Sequence, residues 1–82
     1  LKLAVARVRA AGWAAVQADV TIVAETPKIG PHRAAMREKL GAALGIPPDD
    51  VMVKGKTNEG MGWIGRGEGI ATIAVATLAR IA

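Results

Sequence analysis

The sequence predicts one small α+β unit, and three observations lead to this prediction. The apolar residues change repeatedly between the 3.6-residue period of a helix and the two-residue period of a strand. Clusters of proline and glycine separate these periodic segments. The length of 82 residues allows a single core. Because so small a core buries little apolar surface, oligomerisation is expected.

The first two elements follow from the spacing of apolar residues. A helical stripe occupies the first eleven residues, and Gly12 can end the helix in a left-handed conformation. The stripe consists of Leu1, Ala4, Val5, Val8 and Ala11. From Val16 the period becomes two, which predicts a half-buried strand. Its inward face consists of Val16, Ala18, Val20, Ile22 and Ala24.

A turn, a second helix and two further strands complete the pattern. Prolines and a glycine within residues 26–31 predict the turn, and Pro31 suits the first position of a helix. This helix ends at Gly45, and its inward residues are Met36, Leu40, Ala43 and Leu44. Residues 51–56 form a short strand. Residues 68–81 fit a helix or a strand covered on both faces, and their Ile, Thr and Val content favours the strand.

Composition limits the classes of function. The absence of cysteine excludes disulfides and thiolate metal sites. His32 is the single histidine, so a histidine-based metal centre made by this chain alone is excluded. No apolar run reaches the roughly 18 to 20 residues of a membrane span, and no signal sequence is evident. We therefore expect a cytoplasmic protein without a membrane partner. The start at Leu1, within a helical pattern, suggests that upstream sequence is absent.

The net charge of +4 is compatible with two kinds of anionic partner. A small basic α+β module could bind RNA or another polyanion. Single-stranded nucleic acids need aromatic platforms, however, and Trp13 and Trp63 are the only aromatic residues. A small anionic ligand therefore fits better, and the polyanion-binding module remains the alternative.

Two segments carry candidate binding groups. Around Lys28, backbone amides at the start of the second helix favour an anion or the edge of a polar ring, although an ordinary turn needs the same residue types. In the second segment, Thr57 could donate to a phosphate oxygen and Glu59 could hold a divalent cation. They are two residues apart, so an extended backbone would direct both to one side. A polar turn at Asn58 and Gly60 is the structural alternative.

The segment Gly65-Arg66-Gly67-Glu68-Gly69 is neither a phosphate loop of nucleotide hydrolases nor a dinucleotide fingerprint. Glycines beside Arg66 allow close backbone approach around a fixed guanidinium. Alternatively, Arg66 and Glu68 pair with each other or across subunits.

Two blocks resemble the 2-C-methyl-D-erythritol 2,4-cyclodiphosphate synthase family. Residues 53–71, VKGKTNEGMGWIGRGEGIA, are similar to its carboxy-terminal signature, and residues 19–32, DVTIVAETPKIGPH, are similar to an upstream block. The sequence departs from the family at Lys56 and Asn58, where many members carry threonine. The resemblance implies a homotrimeric α+β fold, a mixed β-sheet with helices on one face, and active sites between subunits. Residues 1–82 correspond to the carboxy-terminal part of one domain, whose amino-terminal half is absent here.

The resemblance also implies the reaction. The family is a phosphorus–oxygen lyase of the non-mevalonate isoprenoid pathway, which converts 4-diphosphocytidyl-2-C-methyl-D-erythritol 2-phosphate to the 2,4-cyclodiphosphate and CMP. Its partner is thus a small nucleotide-diphosphate substrate and not a nucleic acid. The family's zinc ligands lie in the absent half, so this segment alone is expected to be inactive.

Site residues are implied as follows. Ala24 to Gly30 would form a cytosine pocket, and Thr57 would contact phosphate and stabilise transition-state charge as the catalytic residue. Glu59 would hold magnesium or manganese. Trp63 and Arg66 would lie near the nucleotide site and the trimer axis, where a central cavity can accept an isoprenoid diphosphate. The implied substrate-binding residues are Ala24, Glu25, Thr26, Pro27, Lys28, Ile29, Gly30, Lys56, Thr57, Asn58, Glu59, Trp63 and Arg66.

Overall fold

Helices and strands alternate along the chain in the predicted order. A computed structural model describes residues 1–81. The elements are α1 (Lys2–Ala10), β1 (Trp13–Val23), α2 (Arg33–Leu44), β2 (Val51–Lys56), α3 (Gly62–Gly65) and β3 (Ala71–Arg80). Short 3₁₀ turns at Gly30–His32 and Pro48–Asp50 precede α2 and β2. The short helix α3 within the glycine-rich loop was not predicted.

The three strands form a mixed sheet in the order β2, β1, β3. β1 is parallel to β2, which it reaches through α2, and antiparallel to β3. Val20 of the central strand aligns with Val53 on one side and with Ala74 on the other. The predicted α+β fold and mixed sheet are confirmed, and the ambiguous last segment is a strand.

The core lies between the sheet and α2. The most deeply buried side chains are Val51 and Val53, each 1% exposed. Val20, Ile22, Ala24 and Ile29 cluster with them, and partly buried side chains of Met36, Leu40 and Ile46 pack against this cluster. Since α1 contacts both α2 and β1, the helices share one face of the sheet. Gly45 ends α2 with a φ of 74°, as its position predicted.

Val16 does not belong to the inward face, contrary to the prediction. Its neighbours at alternate positions are buried from Ala18 onward, but Val16 is 44% exposed. The pairing of β1 with β3 shifts register between Ala15 and Gln17. A bulge of this kind adds one residue to the strand and breaks the two-residue alternation.

Two arginines of α2 cover the outer edge of β2. Arg33 donates from Nε to the carbonyl oxygen of Val53 at 3.0 Å, and Arg37 donates from Nε to that of Val51 at 2.9 Å. Four residues of helix advance about 6 Å and two residues of strand about 6.6 Å, so one helical turn matches two strand positions. The edge carbonyls are thereby satisfied.

The opposite edge strand, β3, is open. From Thr72 to Arg80 every residue is exposed, including the large apolar side chains of Ile73, Val75 and Leu78. The predicted strand is confirmed, but residues 1–81 do not themselves cover either of its faces. α2, the longest helix described, has 12 residues, and none of the helices in residues 1–81 is long and apolar enough to cross a bilayer.

Candidate functional site

A cleft of about 210 Å³ lies at the carboxyl ends of the parallel strands β1 and β2. The segment that follows β1 forms one side, and the end of β2 forms the other. Its lining comprises residues 24, 25 and 27–30 together with Arg33, Gly55, Lys56 and Thr57. The two segments that the sequence singled out thus meet in one cleft. Carboxyl ends of parallel strands are a common position for ligand sites in α/β folds.

Close backbone packing shapes the floor of this cleft. A Cβ placed on Gly55 would lie 2.8 Å from the Cβ of Ile29, which is itself only 9% exposed. Only glycine at this strand position lets the segment after β1 lie directly on β2. Sequence reasoning missed Gly55, although a glycine within a predicted strand is a recognised signal of such an approach.

Cations outnumber anions among the lining residues. The cations are Lys28, Arg33 and Lys56, and the single anion is Glu25. The hydrogen bond from Arg33 Nε to Val53 fixes the guanidinium beside the cleft. This excess of positive charge suits an anionic ligand. Arg33 was not predicted as a residue of the cleft.

The carboxylate of Glu25 holds the loop that follows β2. Its Oε1 accepts hydrogen bonds from the backbone N–H groups of Asn58 at 2.8 Å and Gly60 at 3.2 Å. The loop turns sharply here, because Glu59 has a φ of 54° and Gly60 a φ of 73°. The segment is therefore a turn and not extended, so the expectation that Thr57 and Glu59 share one side through a two-residue period is wrong. A hydrogen bond joins them, since the Glu59 N–H donates to Thr57 Oγ1 at 3.3 Å.

Asn58 supports the same turn. Its Nδ2 donates to the carbonyl oxygen of Met61 at 2.7 Å, and its own carbonyl accepts from the Met61 N–H at 3.0 Å. Asn58 does not line the cleft, and neither do Thr26 and Glu59. Thr26 lies between two lining residues, whereas the exposed Glu59 lies on the turn next to Thr57.

The glycine-rich loop folds back on itself. A Cβ on Gly65 would overlap the backbone of Gly60, and a Cβ on Gly69 would overlap the ring of Trp63. Arg66 forms a bidentate pair with Glu68 at 3.0 and 3.1 Å, which is the pairing within the chain that the sequence left open. Trp63 and Arg66 lie outside the cleft lining.

The donor set can be compared with the needs of metal ions. Within residues 1–81, no three side chains of His, Cys, Asp or Glu lie close enough together to hold a metal ion. These residues therefore do not fit a zinc site, which needs at least three protein ligands. Glu59 fits a different requirement, because one exposed carboxylate can be a single ligand of a hard divalent cation whose other ligands come from elsewhere.

Comparison with known proteins gives a consistent family match. A model described as the YgbB family matches residues 1–79. Over 81 residues the chain is 56% identical to 2-C-methyl-D-erythritol 2,4-cyclodiphosphate synthase of Gemmatimonas aurantiaca, covering 99% of this chain and 49% of that protein. The enzyme of the same name from Bordetella petrii is 56% identical over 80 residues, covering 98% and 49%. These relatives do not support the alternative of an RNA- or polyanion-binding module.

Solved structures are similar over nearly the whole chain. The cyclodiphosphate synthase of Plasmodium vivax superposes with a TM-score of 0.91 at 34% identity, covering 96% of this chain and 53% of that one. IspF of Plasmodium falciparum, solved as a CDP complex, gives 0.92 at 26% identity, covering 99% and 52%. The bifunctional IspDF of Campylobacter jejuni gives 0.93 at 30% identity, covering 98% and 22%. The chain thus spans about half the length of the curated relatives it matches.

Proposed function

This chain belongs to the YgbB family, and on that premise we propose that it supplies the cytidine-nucleotide side of a cyclodiphosphate synthase active site. The reaction is the phosphorus–oxygen lyase step that forms 2-C-methyl-D-erythritol 2,4-cyclodiphosphate and CMP from 4-diphosphocytidyl-2-C-methyl-D-erythritol 2-phosphate. The observation that carries the proposal is the cleft between residues 24–30 and 55–57. A relative of the same fold was solved as a CDP complex.

Residues 24–30 bind the cytosine base in this proposal. Backbone groups of the segment after β1 read the edge of the ring, and Ile29 provides an apolar floor. Lys28, Arg33 and Lys56 surround the charged part of the nucleotide. A mostly preformed cleft with few convergent polar groups is typical of small-molecule sites.

Thr57 contacts the phosphate and stabilises the charge of the transition state. Its Oγ1 accepts the Glu59 N–H, which leaves the hydroxyl hydrogen free to donate to a phosphate oxygen. The substrate's own 2-phosphate is the attacking group, so the reaction needs proximity and charge neutralisation more than a protein nucleophile. A fixed donor in the cleft meets that need.

Glu59 holds magnesium or manganese in this proposal, which is supported by its exposed side chain and by the hydrogen bond from its backbone N–H to Thr57. When bound, a divalent cation supplies charge neutralisation to the phosphates. Zinc, which the family uses as well, is assigned to residues outside this chain, since the donors here do not fit it. Lys56 and Asn58 complete the phosphate side, Lys56 by its charge and Asn58 by shaping the turn.

The remaining assignments concern the assembly. We place residues 1–82 in the carboxy-terminal part of one domain, whose other half provides the opposite wall, and we propose a cytoplasmic homotrimer with sites between subunits. The open apolar strand β3 supports an assembly that covers it. Trp63 and Arg66, which lie outside the cleft, are assigned to an axial cavity that accepts an isoprenoid diphosphate.

Nucleotide binding and turnover test the proposal separately. In isothermal titration calorimetry the chain is expected to bind CDP weakly and UDP more weakly still, since the base pocket reads cytosine. With substrate, zinc and magnesium present, the chain alone is expected to release no CMP. Equal affinity for CDP and UDP would contradict the proposal that residues 24–30 recognise cytosine. Robust CMP release by the 82 residues would contradict the division of the site between two halves.

A further inference from the structure

We propose that Glu25 is a positioning residue for the phosphate side of the cleft, acting through its side chain and not as a base-reading group. The inference rests on the proposed function and adds a role to one residue of the site. Its starting point is the pair of hydrogen bonds that Oε1 accepts from the backbone of Asn58 and Gly60.

These bonds connect the two walls of the cleft. Glu25 directly follows the buried Ala24 at the end of β1, whereas Asn58 lies 33 residues further along, beyond the end of β2. Just past the end of β1, the Ala24 N–H donates to the carbonyl oxygen of Lys56, the last residue of β2, at 2.9 Å. Beyond that point, the carboxylate of Glu25 continues the connection from β1 to the loop.

The turn held by Glu25 is one that its own residues do not favour. Glu59 is the only residue other than glycine with positive φ among residues 1–81, and this conformation costs a non-glycine residue about 1 kcal/mol or more. The two amides that Glu25 accepts belong to the residues on either side of Glu59. The carboxylate therefore holds the backbone in the conformation that places Glu59 beside Thr57.

The hydrogen-bond geometry of Glu25 allows a positioning role to be distinguished from a purely electrostatic one. Both hydrogen bonds end on the same oxygen, so a glutamine with its carbonyl oxygen at that point can accept both. Aspartate keeps the negative charge but is one methylene shorter and cannot reach the loop from the same backbone position. Positioning predicts that glutamine replaces Glu25 better than aspartate, and a purely electrostatic role predicts the reverse.

The test compares Glu25→Gln, Glu25→Asp and Glu25→Ala in the full chain by two measurements. Amide hydrogen exchange, followed by NMR, should accelerate at Asn58 and Gly60 in Glu25→Ala and Glu25→Asp, while the amide of Val20 in the central strand reports that the sheet is intact. The second measurement is the affinity for CDP with magnesium and for cytidine, which lacks phosphate. Glu25→Ala should weaken CDP binding about tenfold, as expected from losing hydrogen bonds to a charged group, and weaken cytidine binding less, because cytidine has no phosphate for the loop to contact. Glu25→Gln should restore most of the CDP affinity.

Each contrary outcome has a defined meaning. Unchanged exchange at Asn58 and Gly60 in Glu25→Ala, or unchanged CDP affinity, overturns the positioning role while the proposed function stands. An equal loss of CDP and cytidine binding, or a better replacement by aspartate than by glutamine, also overturns it. If the unaltered chain binds neither ligand, the proposed function fails and the inference fails with it.

Discussion

Gly55 and Ile29 approach so closely that a methyl group on Gly55 would lie 2.8 Å from the Cβ of Ile29. Gly55 belongs to β2, and Ile29 belongs to the turn that follows β1. Their contact therefore places the proposed base-binding segment directly on the sheet. Since Ile29 is a member of the core as well as of the cleft, the site and the fold share this contact.

Gly55→Ala is expected to destabilise the chain and to disturb the cleft. The added methyl group meets the branched Cβ of Ile29, which is a rigid part of that side chain, so the turn has to move. Overpacking of this kind costs about 1–3 kcal/mol. Urea denaturation measures the loss of stability, and CDP titration measures the effect on binding.

Gly30→Ala is the matched control for that change. Gly30 lies in the same turn and lines the same cleft, but a Cβ on it has no neighbour within 4 Å. Its stability should differ from that of the unaltered chain by less than about 0.5 kcal/mol. Equal destabilisation by the two substitutions would show that the Gly55–Ile29 contact is not what constrains the turn.

The sequence predicts most of the buried face of β1, but it does not predict where the strand is irregular. The two-residue period from Ala18 to Ala24 correctly predicted the buried face of β1, because one face of a sheet against a helix imposes that alternation. The prediction for Val16 was wrong because the bulge depends on how β3 pairs with β1. The local spacing of apolar residues carries no information about that pairing.

The candidate site was also predicted only in part. That residues 24–30 and 55–57 meet follows from two strands placed in parallel, and the family resemblance paired these segments in advance. The turn around Glu59 was predicted only as the alternative to an extended segment, because its positive φ is maintained by the distant Glu25 and not by its own preference. Arg33 was missed because its place in the cleft depends on a hydrogen bond to β2, 20 residues away.

Arg37→Met is expected to lower stability through the edge of β2. Arg37 donates from Nε to the carbonyl oxygens of Val51 at 2.9 Å and Pro48 at 3.2 Å, and methionine leaves both without that donor. A loss of about 1–2 kcal/mol in the free energy of unfolding is expected for such hydrogen bonds. Lys39→Met on the exposed part of the same helix is the control and should have little effect. If both variants unfold at the same urea concentration, α2 does not stabilise the strand edge in this way.

Arg66→Met tests whether the glycine-rich loop has a function distinct from nucleotide binding in the cleft. The Arg66–Glu68 pair is exposed, with side chains 60% and 56% accessible, so its contribution to stability should be small. Because Arg66 does not line the cleft, CDP affinity should also remain within about twofold, which is below 0.5 kcal/mol. Binding of an isoprenoid diphosphate, followed through tryptophan fluorescence, should be lost in the assembled protein. A strong decrease in CDP affinity would place Arg66 in the nucleotide site instead.

Thr57→Val tests the proposed phosphate donor. Valine has nearly the shape of threonine but lacks the hydroxyl, so it removes both the donation to phosphate and the bond from the Glu59 N–H. CDP affinity should fall about tenfold, and Thr57→Ser should keep most of it because the hydroxyl is retained. Cytidine binding should not change in either variant. If Thr57→Ser were as weak as Thr57→Val, the methyl group and not the hydroxyl would be the important part of the side chain.

Glu59→Gln tests the proposed divalent cation site. The amide keeps the size of the side chain and, because the turn is held by backbone amides on Glu25, it should leave the loop conformation intact. It removes the negative charge that a hard cation requires. CDP affinity measured with magnesium or manganese should therefore fall to the value measured in EDTA, and the EDTA value itself should stay the same.

Glu38→Gln is the appropriate comparison, because Glu38 is an exposed carboxylate on α2 and its loss changes the net charge equally. The affinity of this variant should still rise when magnesium is added. A uniform decrease in both variants would indicate that overall charge, and not a carboxylate ligand at residue 59, governs nucleotide binding. A cation-dependent gain that survives in Glu59→Gln would move the cation to other ligands, and the assignment of Glu59 would then be wrong.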